Sequence, residues 1–319
     1  MTRRNRIVLL GLLSLLATVL SAPVPSGPAQ AQNAPISVVG NNLENLLTWG
    51  NGTCPGDYDE LLEYLADSGP HGDSDLFLVQ QVSASELSTY VARLESMFGH
   101  DYDSRISAVV TGDRIRACGG EKPVQRNAVI FNTDRFSYLG LNRWQAQHYV
   151  SGRCTNNEQD RTRSIEVMLH DRVNDDTVAA ASVHWPTAAK NGRRCSESNA
   201  REILDEMGQP VNGRTADLKI VGGDMNIWQR HPSYGGWDEI LESAGLEARS
   251  SGWTFKYASG VNRRIDYVFT TGDGGPATTV KFTAAEARDD DTDPPSCVTQ
   301  NYGGCHYSEH RAIATLVYP

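Results

Sequence analysis

The chain alternates short apolar runs with segments in which apolar residues recur every three or four positions. The short runs span five to nine residues and are rich in β-branched side chains, which is typical of buried strands. The three- and four-residue spacing predicts amphipathic helices at 58–67, 85–98 and 199–208. We therefore expect a mixed α/β protein with many strands and with helices on the outside. The predicted strands lie at residues 36–40, 75–79, 127–132, 164–169, 177–185, 218–224, 264–270 and 311–318.

The strand and helix patterns continue without interruption from residue 36 to residue 319. No repeat and no low-complexity linker divides this stretch, and no apolar segment after the N-terminus is long enough to span a membrane. A domain of mixed strands and helices can exceed 200 residues. We therefore expect a single domain over residues 32–319, no stable membrane insertion and a monomer, and the sequence identifies no protein partner.

The first 31 residues have the pattern of a secretory signal peptide. Three arginines precede an apolar run from Ile7 to Leu20, and the small residues Ala29 and Ala31 form a cleavage signal. The apolar run is shorter than the roughly 18 residues that a membrane-spanning helix needs. We expect cleavage after Ala31 and secretion. The pair Arg3-Arg4 also fits a twin-arginine signal, so the export route stays open.

Removal of the signal would make an acidic protein more acidic. The chain has 29 Lys and Arg against 39 Asp and Glu, and loss of the three signal arginines changes its formal net charge from −10 to −13. A protein that held nucleic acid by charge alone would carry a net positive charge or a basic stripe. Any phosphate chemistry must therefore rest on a local site or on bound cations.

The cysteine pattern favours disulfides. All six cysteines follow the signal, their number is even, and none forms a C-x-x-C pair, so zinc binding is disfavoured. Six cysteines allow 15 pairings. We predict only the bond between Cys297 and Cys305, which flank a short loop.

Polar residues follow several predicted strands at the point where each strand ends. The strand at 218–224 ends in two glycines followed by Asp224 and, two positions later, Asn226. If the strand continued, its period of two would place both side chains on one side of the chain, where they could orient water or bind a metal. The alternative is an Asp/Asn turn. Five more polar residues at strand termini are Asn42, His184, Asp266, Glu309 and His310.

The order of these segments resembles the endonuclease/exonuclease/phosphatase superfamily, which includes deoxyribonuclease I, the active subunit of cytolethal distending toxins and secreted bacterial sphingomyelinases. The resemblance covers nearly all of residues 36–319 and rests on GDMN, RRIDYVF and SEHRAI in that order. It implies a four-layer α/β/β/α sandwich of two packed mixed β-sheets flanked by helices. It also implies phosphodiester hydrolysis assisted by a divalent cation, Mg²⁺ or else Mn²⁺ or Ca²⁺.

The resemblance also implies roles for individual residues. Asp224 and Asn226 would orient the attacking water and the phosphate, and Asp266 would fix the tautomer of His310. His184 matches the first family histidine. The phosphate-binding arginine is Arg163, with Arg161 as the alternative. The metal ligands would be Asn42, Gln81 and Glu309.

Two of these positions depart from the family pattern. The strand that reads DLFLVQQV ends in Gln80-Gln81, whereas the family has Gln-Glu and uses the glutamate as its principal metal ligand. An amide oxygen can bind Mg²⁺ or Ca²⁺ but brings no charge. Glu309 replaces the usual aspartate before the final histidine and is one methylene longer. We expect it to keep one cation in the site with reduced affinity.

Three functions are compatible with the sequence. The first is a secreted metal-dependent phosphodiesterase of the deoxyribonuclease I type, with nucleic acid as substrate. The second is a phospholipid or sphingomyelin phosphodiesterase, which would need an exposed apolar hairpin; Trp237 and Trp253 are the only candidates and are more typical of a core. The third, suggested by Gln81, is a protein that binds phosphate ligands without turnover.

Overall fold

The eight strands predicted from the apolar runs are all present, within three residues of their predicted bounds. The protein is represented by a computed structural model, which describes residues 33–43, 73–112, 116–117, 120–121, 124–187, 192–229, 235–249, 252–256, 262–274, 278–279 and 310–319. The strands are β1 (Ile36–Asn42), β2 (Leu76–Val82), β3 (Tyr102–Ile106), β4 (Arg116–Ala117), β5 (Gly120–Glu121), β6 (Arg126–Asn132), β7 (Phe136–Gln145), β8 (Gln147–Val150), β9 (Arg153–Asn156), β10 (Arg163–Asp171), β11 (Asp176–His184), β12 (Leu218–Asp224), β13 (Glu247–Ala248), β14 (Phe255–Lys256), β15 (Asn262–Arg263), β16 (Asp266–Thr270), β17 (Asp273–Gly274), β18 (Thr278–Thr279) and β19 (Ile313–Tyr318).

These strands form two mixed sheets and three short hairpins. The first sheet has the order β17-β19-β1-β2-β6-β3, with β18 also on β19, and the second has the order β13-β16-β12-β11-β10-β7. Each sheet has one parallel pair, β1 with β2 and β11 with β12, and its other pairs are antiparallel. The central strands are buried along their length, as strands covered on both faces should be.

Three apolar clusters show how the layers are stacked. One cluster joins inner-face residues of both sheets, such as Leu78 and Val268, and forms the core between them. A second lies on the outer face of the first sheet, and a third lies on the outer face of the second sheet. The predicted four-layer α/β/β/α sandwich is therefore confirmed.

Helices cover the outer faces. The helix predicted at 85–98 is α1 (Ala84–Phe98), which begins at a capping box between Ser83 and Glu86 and ends at Gly99 in the left-handed conformation. The helix predicted at 199–208 begins seven residues earlier as α2 (Gly192–Gly208), and α3 (Trp237–Ser243) follows. The helix predicted at 58–67 lies outside the described residues. No helix within the described part of the chain combines the length and apolarity needed to cross a bilayer.

A disulfide ties a polar hairpin to the outer layer. Cys154 on β9 is bonded to Cys195 on α2, which closes a loop across 41 positions of sequence. The predicted bond between Cys297 and Cys305 lies outside the described residues. The even cysteine count therefore pointed to the correct chemistry but could not select this pair, because pairing depends on which distant segments the fold brings together.

One acidic side chain lies in the core beneath α2. Glu166 is fully buried on β10, and neither carboxylate oxygen reaches a hydrogen-bond partner in the described structure. The nearby Asn142 amide instead donates to Glu206 at 2.8 Å. Burial raises the pKa of Glu166 to about 7, and the opposing effects of Asn142 and of the Lys219 charge do not cancel it.

We therefore expect Glu166→Gln to stabilise the protein at neutral pH. The folded-state pKa lies above the unfolded value, so the folded protein binds more protons and its stability falls as pH rises from about 4.5 through about 7. The glutamine variant should gain about 2–3 kcal/mol in unfolding free energy at pH 8 and lose this dependence. Urea denaturation between pH 4 and pH 8 measures the unfolding free energy and its pH dependence. Glu158→Gln, at an exposed position, is the control. The prediction would be contradicted if the unfolding free energies of wild type and Glu166→Gln changed with pH in parallel.

Candidate active site

The strand ends carry the predicted site residues to one edge of the sandwich. The parallel pairing of β1 with β2 sets Asn42 beside Gln80, and that of β11 with β12 sets His184 beside Asp224. In the antiparallel pair of β12 with β16, Asp224 faces Asp266. Because parallel strands end at the same edge of a sheet, these side chains converge, as the sequence predicted.

His310 is held by Asp266. Its Nδ1 lies 3.0 Å from both carboxylate oxygens of Asp266, and its Nε2 lies 3.8 Å from Oδ2 of Asp224. The carboxylate accepts the hydrogen bond, so Nδ1 carries the hydrogen and Nε2 faces Asp224. The predicted partnership of Asp266 and His310 is present in the structure, and both side chains are buried.

Asp224 lies at the centre of the cluster. Its Oδ2 accepts a hydrogen bond from Nδ2 of Asn42 at 3.1 Å, and its Oδ1 accepts one from the Asn226 backbone at 2.8 Å. Burial, reinforced by the Asp266 charge, raises the pKa of Asp224 to about 7, although His310, Asn226 and Asn42 act in the opposite direction. Two carboxylates this close and this buried favour a cation between or beside them.

His184 has a different environment from His310. Its Nε2 lies 3.5 Å from Oδ2 of Asp224, while its buried Nδ1 meets no hydrogen-bond partner in the described part of the chain. Burial lowers the pKa of His184 well below its usual value, and the charges of Arg161 and His310 lower it further. The imidazole of His184 is therefore neutral near pH 7.

The expectation that Asn226 lies on the same strand face as Asp224 is wrong. The strand β12 ends at Asp224, and Asn226 has a left-handed backbone with φ of 56°. Its backbone N–H donates to Asp224 and its Nδ2 donates to the Trp185 carbonyl at 2.8 Å. This is the Asp/Asn turn that the sequence allowed as an alternative, and it brings Asn226 to the site by a turn rather than by strand period.

Both candidate arginines lie near this edge. Arg163 is the first residue of β10. It lies on the same face of the strand as Ile165 and Val167, which face the other sheet. Its Nε is buried and meets no acceptor among the described residues. The charge of Arg161 acts on His184, so the alternative arginine that the sequence left open also lies near this histidine. Glu309 lies outside the described residues.

The two glutamines of the opening strand take different positions. Gln80 lies between the sheets, where its Nε2 donates to Oγ of Ser182 and to the Leu78 carbonyl, both at 2.9 Å. Gln81 sits at a break in the pairing of β2 with β6, with φ of 56°, and donates through Nε2 to Oε1 of Gln125 at 2.9 Å. A non-glycine residue in this conformation is uncommon, and such residues concentrate at functional sites.

Several residues that position the site were not predicted. Gln125 carries no sequence signal beyond being a polar residue before an apolar run. Phe255 pairs with His310 in an isolated bridge, and the two ring centroids lie 4.6 Å apart. Oγ1 of Thr254 accepts hydrogen bonds from the backbone of Ile265 and Asp266 at 3.0 and 3.1 Å. These contacts come from a distant hairpin, which local sequence patterns cannot reveal.

The donor chemistry of the site fits a hard divalent cation. Ligand atoms of Asp224, Asp266 and His310 all lie within 4.8 Å of one another, and the carboxylates supply the oxygen ligands that Mg²⁺ and Ca²⁺ prefer. Asn42 adds an amide at the same place. Gln81 stands at the neighbouring strand end, as predicted, but it contributes no charge.

Comparison with known proteins decides the family. Residues 46–296 match the Endonuclease/Exonuclease/phosphatase family. The chain belongs to this family. Its members hydrolyse phosphoester bonds and generally depend on a divalent metal ion. Asn42 and His310 lie outside the matched range. Asn42 reaches the site at the end of β1, and His310 reaches it from the isolated bridge with Phe255, three residues before β19.

Solved structures of the family share the fold at low sequence identity. An endonuclease/exonuclease/phosphatase from Bacteroides vulgatus aligns over 90% of this chain and 100% of its own, with 13% identity and a TM-score of 0.58. The human Nocturnin catalytic domain with bound sulfate aligns over 89% and 95%, with 14% identity and a TM-score of 0.54. A mannosyl-6-phosphatase from Bacteroides thetaiotaomicron aligns over 89% and 100%, with 15% identity and a TM-score of 0.57. No curated protein matches the chain.

Proposed function

We propose that this family member is an exported, divalent-cation-dependent phosphodiesterase that hydrolyses nucleic acid in the manner of deoxyribonuclease I. The observation that carries the proposal is the buried cluster of Asp224, Asp266 and His310, with His184 and Asn42 beside it. Buried charges without a functional role are costly, so their convergence at one sheet edge favours a catalytic site. Export is supported by the N-terminal signal and by the disulfide between Cys154 and Cys195.

In this proposal the two histidines have separate roles. Asp266 orients His310 and stabilises its charged form, so Nε2 of His310 can accept or return a proton during hydrolysis. His184 stays neutral because it is buried and has no carboxylate at Nδ1 among the described residues. A neutral imidazole can donate a hydrogen bond to a phosphoryl oxygen. Arg163 and Arg161 supply positive charge for the developing phosphoryl anion.

Asp224, Asp266, Asn42 and Gln81 would hold the cation, with Glu309 as the proposed additional carboxylate. When bound, the cation would stabilise negative charge on the phosphoryl oxygens. Asn226 fixes the position of Asp224 through its backbone N–H, which leaves the carboxylate able to orient water. The resident ion is proposed to be Mg²⁺, with Mn²⁺ or Ca²⁺ as substitutes that share its preference for oxygen ligands.

One observation favours a second candidate function, the binding of a phosphate ligand without turnover. The side chain at the strand end is the amide of Gln81, and it is engaged by a second amide, Gln125, so neither member of the pair supplies negative charge. A cation held with one carboxylate fewer would bind more weakly. The complete set of His184, Asp224, Asp266 and His310 nevertheless supports catalysis as the first candidate.

The test of function is hydrolysis by the purified mature chain. Plasmid DNA, RNA and sphingomyelin vesicles are each incubated with Mg²⁺, Mn²⁺ or Ca²⁺, and with EDTA as the metal-free control. We expect cleavage of nucleic acid that depends on the cation. Cleavage of sphingomyelin alone would overturn the assignment in favour of a lipid phosphodiesterase. Inertness toward all three, together with binding of phosphate ligands, would support the non-catalytic candidate.

Gln81→Glu is expected to increase the affinity for Mg²⁺ by about tenfold or more, because it adds a charged oxygen ligand at a strand end beside the two aspartates. The side chains have nearly the same shape, so the left-handed backbone at this position is not disturbed. Isothermal titration with Mg²⁺, Mn²⁺ and Ca²⁺ measures the change. Gln209→Glu, at an exposed position just after α2, is the matched control.

Two results would contradict this role of Gln81. The first is equal Mg²⁺ affinity in wild type and Gln81→Glu, which would place the cation away from this strand end. The second is the absence of cation binding in wild type up to tens of millimolar, which would also remove the proposed contribution of Glu309. Activity gained only in Gln81→Glu would show that the natural chain is inactive because it lacks the glutamate ligand.

A further inference from the structure

Two arginines outside the site described above donate hydrogen bonds to the backbone where β3 ends. Nη1 of Arg126, at the start of β6, donates to the Ser107 carbonyl at 3.0 Å. Nη2 of Arg143, on β7, donates to the carbonyl of the preceding residue, Ile106, also at 3.0 Å. The two side chains come from different sheets but reach the carbonyls of consecutive residues, and the charge of Arg143 acts on Arg126.

The two charges are not neutralised by ion pairs. Within the described part of the chain no carboxylate lies within salt-bridge distance of Arg126 or Arg143, although the protein is acidic. The acid that acts on Arg126 is Asp160, and its oxygens accept hydrogen bonds from the backbone of Val110 and Thr111. Desolvation lowers the pKa of Arg126, Asp160 opposes this, and the Arg143 charge adds to the lowering.

Arg126 also has an unused donor. Its Nε is buried and meets no acceptor among the described residues, whereas its Nη1 is engaged by Ser107. A buried N–H without a partner is costly, and a bound anion would remove that cost. Arg143 is exposed, so the pair joins one recessed guanidinium to one accessible guanidinium.

The pair lies at the same end of the sandwich as the candidate active site. In the register of β2 with β6, Arg126 faces Val82, immediately after Gln81. The preceding residue, Gln125, is the partner of the Gln81 side chain. Asn127, which follows Arg126, donates from Nδ2 to the Arg161 and Arg163 carbonyls at 3.0 and 2.9 Å. The two arginines therefore stand next to the phosphoryl site, on the side of β3 and β7.

We propose that Arg126 and Arg143 bind a second phosphate of the nucleic-acid strand whose scissile phosphate lies at the Asp224 and His310 cluster. This inference rests on the proposed function and deepens it, since it makes the substrate a polyphosphodiester rather than a compound with one phosphate. Guanidinium groups suit this role because they match phosphate oxygens with two parallel N–H donors. Contacts of this kind position a strand without reading its sequence.

The recessed position of Arg126 favours a strand over a lipid surface. A flat bilayer meets protruding basic side chains, whereas a half-buried guanidinium is reached by a narrow anionic chain. The exposed Val109 and Val110 follow Ser107 closely in the chain, and they make anionic vesicles the necessary alternative ligand in the test.

The experiment measures binding separately from hydrolysis. Fluorescence anisotropy of a labelled 16-nucleotide DNA strand in EDTA compares wild type with Arg126→Gln, Arg143→Gln and the double variant. Arg105→Gln is the matched control, because Arg105 comes from the adjoining β3 but is paired with Asp103. Each single variant should raise the Kd about fivefold to tenfold at low salt and reduce the slope of log Kd against log salt by about one. Arg105→Gln should change neither.

Hydrolysis gives the second readout. In the presence of Mg²⁺, the ratio of kcat/KM for the oligonucleotide to kcat/KM for bis(p-nitrophenyl) phosphate should fall at least tenfold in the double variant. If wild type hydrolyses neither compound, the proposed function fails. The anisotropy measurement then still tests whether Arg126 and Arg143 bind the oligonucleotide. If wild type hydrolyses both and the double variant keeps the ratio, only the second-phosphate site fails.

Three further outcomes would overturn the arginine site. The first is unchanged oligonucleotide affinity in Arg143→Gln, whose exposed side chain can be replaced without disturbing the core. The second is an equal loss in Arg105→Gln, which would indicate a general charge effect. The third is binding of wild type to vesicles of phosphatidylcholine and phosphatidylserine that the double variant loses, without oligonucleotide binding, which would assign the pair to a membrane.

Discussion

His310→Ala is expected to lower kcat for phosphodiester hydrolysis by about 10²- to 10⁴-fold, with KM little changed. His310 is the candidate acid or base because Asp266 holds its Nδ1 at 3.0 Å and leaves Nε2 facing Asp224. Asp266→Asn should lose at least tenfold, since the imidazole would keep its position but lose the charge that stabilises its protonated form. Steady-state kinetics on a labelled oligonucleotide measure both parameters.

The two histidines should respond differently to glutamine. His184→Gln keeps an N–H donor and should retain most activity, while His184→Ala should lose about 10²-fold. His310→Gln should be as inactive as His310→Ala, because an amide cannot take up a proton. His170→Ala is the control, since His170 lies on the same sheet but at the opposite strand end. Equal activity of His310→Gln and wild type would remove His310 from proton transfer.

Arg135→Ala is expected to destabilise the protein by about 3–5 kcal/mol. Arg135 lies at the end of the sandwich opposite the site, where Nε and Nη2 donate to the two oxygens of Asp171 at 3.1 and 2.8 Å. Its Nη1 donates to Asp75 at 2.9 Å, and further donors reach the Pro35 and Ala34 carbonyls. Loss of the guanidinium would leave the buried carboxylate of Asp171 and the partly buried carboxylate of Asp75 without compensation.

The pH dependence identifies the cause. Desolvation already raises the pKa of Asp75, with Arg135 as the main opposing influence. Without the arginine, folded-state carboxyl pKa values would rise, so Arg135→Ala should lose more stability at pH 8 than at pH 4. The triple variant Arg135→Met, Asp75→Asn and Asp171→Asn should recover part of the loss. Urea denaturation measures all three proteins, and a loss independent of pH would indicate packing rather than charge.

The sequence predicted the sheets, and it singled out most of the candidate site residues, for one physical reason. Buried strands need apolar residues along their length, so polar residues such as Asp224 and His184 stand out where the strands end. Edge elements were not predicted. The strand β7 alternates polar and buried residues and is interrupted by a glycine, and the hairpin of β8 and β9 is largely polar, so both lack the apolar run that marked the central strands.

Contacts between distant segments were beyond sequence patterns. The Gln81 side chain meets Gln125 across 44 positions, and Cys154 pairs with Cys195, because the three-dimensional arrangement of the strands and α2 brings them together. Asn226 was expected to lie on the same strand face as Asp224, but the strand ends at Asp224 and a turn follows. The arginine pair could not be predicted for a similar reason, since Arg126 and Arg143 come from different sheets and are related only through the backbone of Ile106 and Ser107.

The amide at the end of β2 has a consequence for how this protein can evolve. Glutamine and glutamate codons differ by a single base, and the two side chains are nearly the same size, so the left-handed backbone at Gln81 accommodates either one. Gln125 can turn its amide to face a carboxylate as readily as it now faces Gln81. A single inherited base change could therefore add or remove a negative charge at the strand end next to Asn42 and Asp224, and so change the proposed cation affinity without loss of the fold.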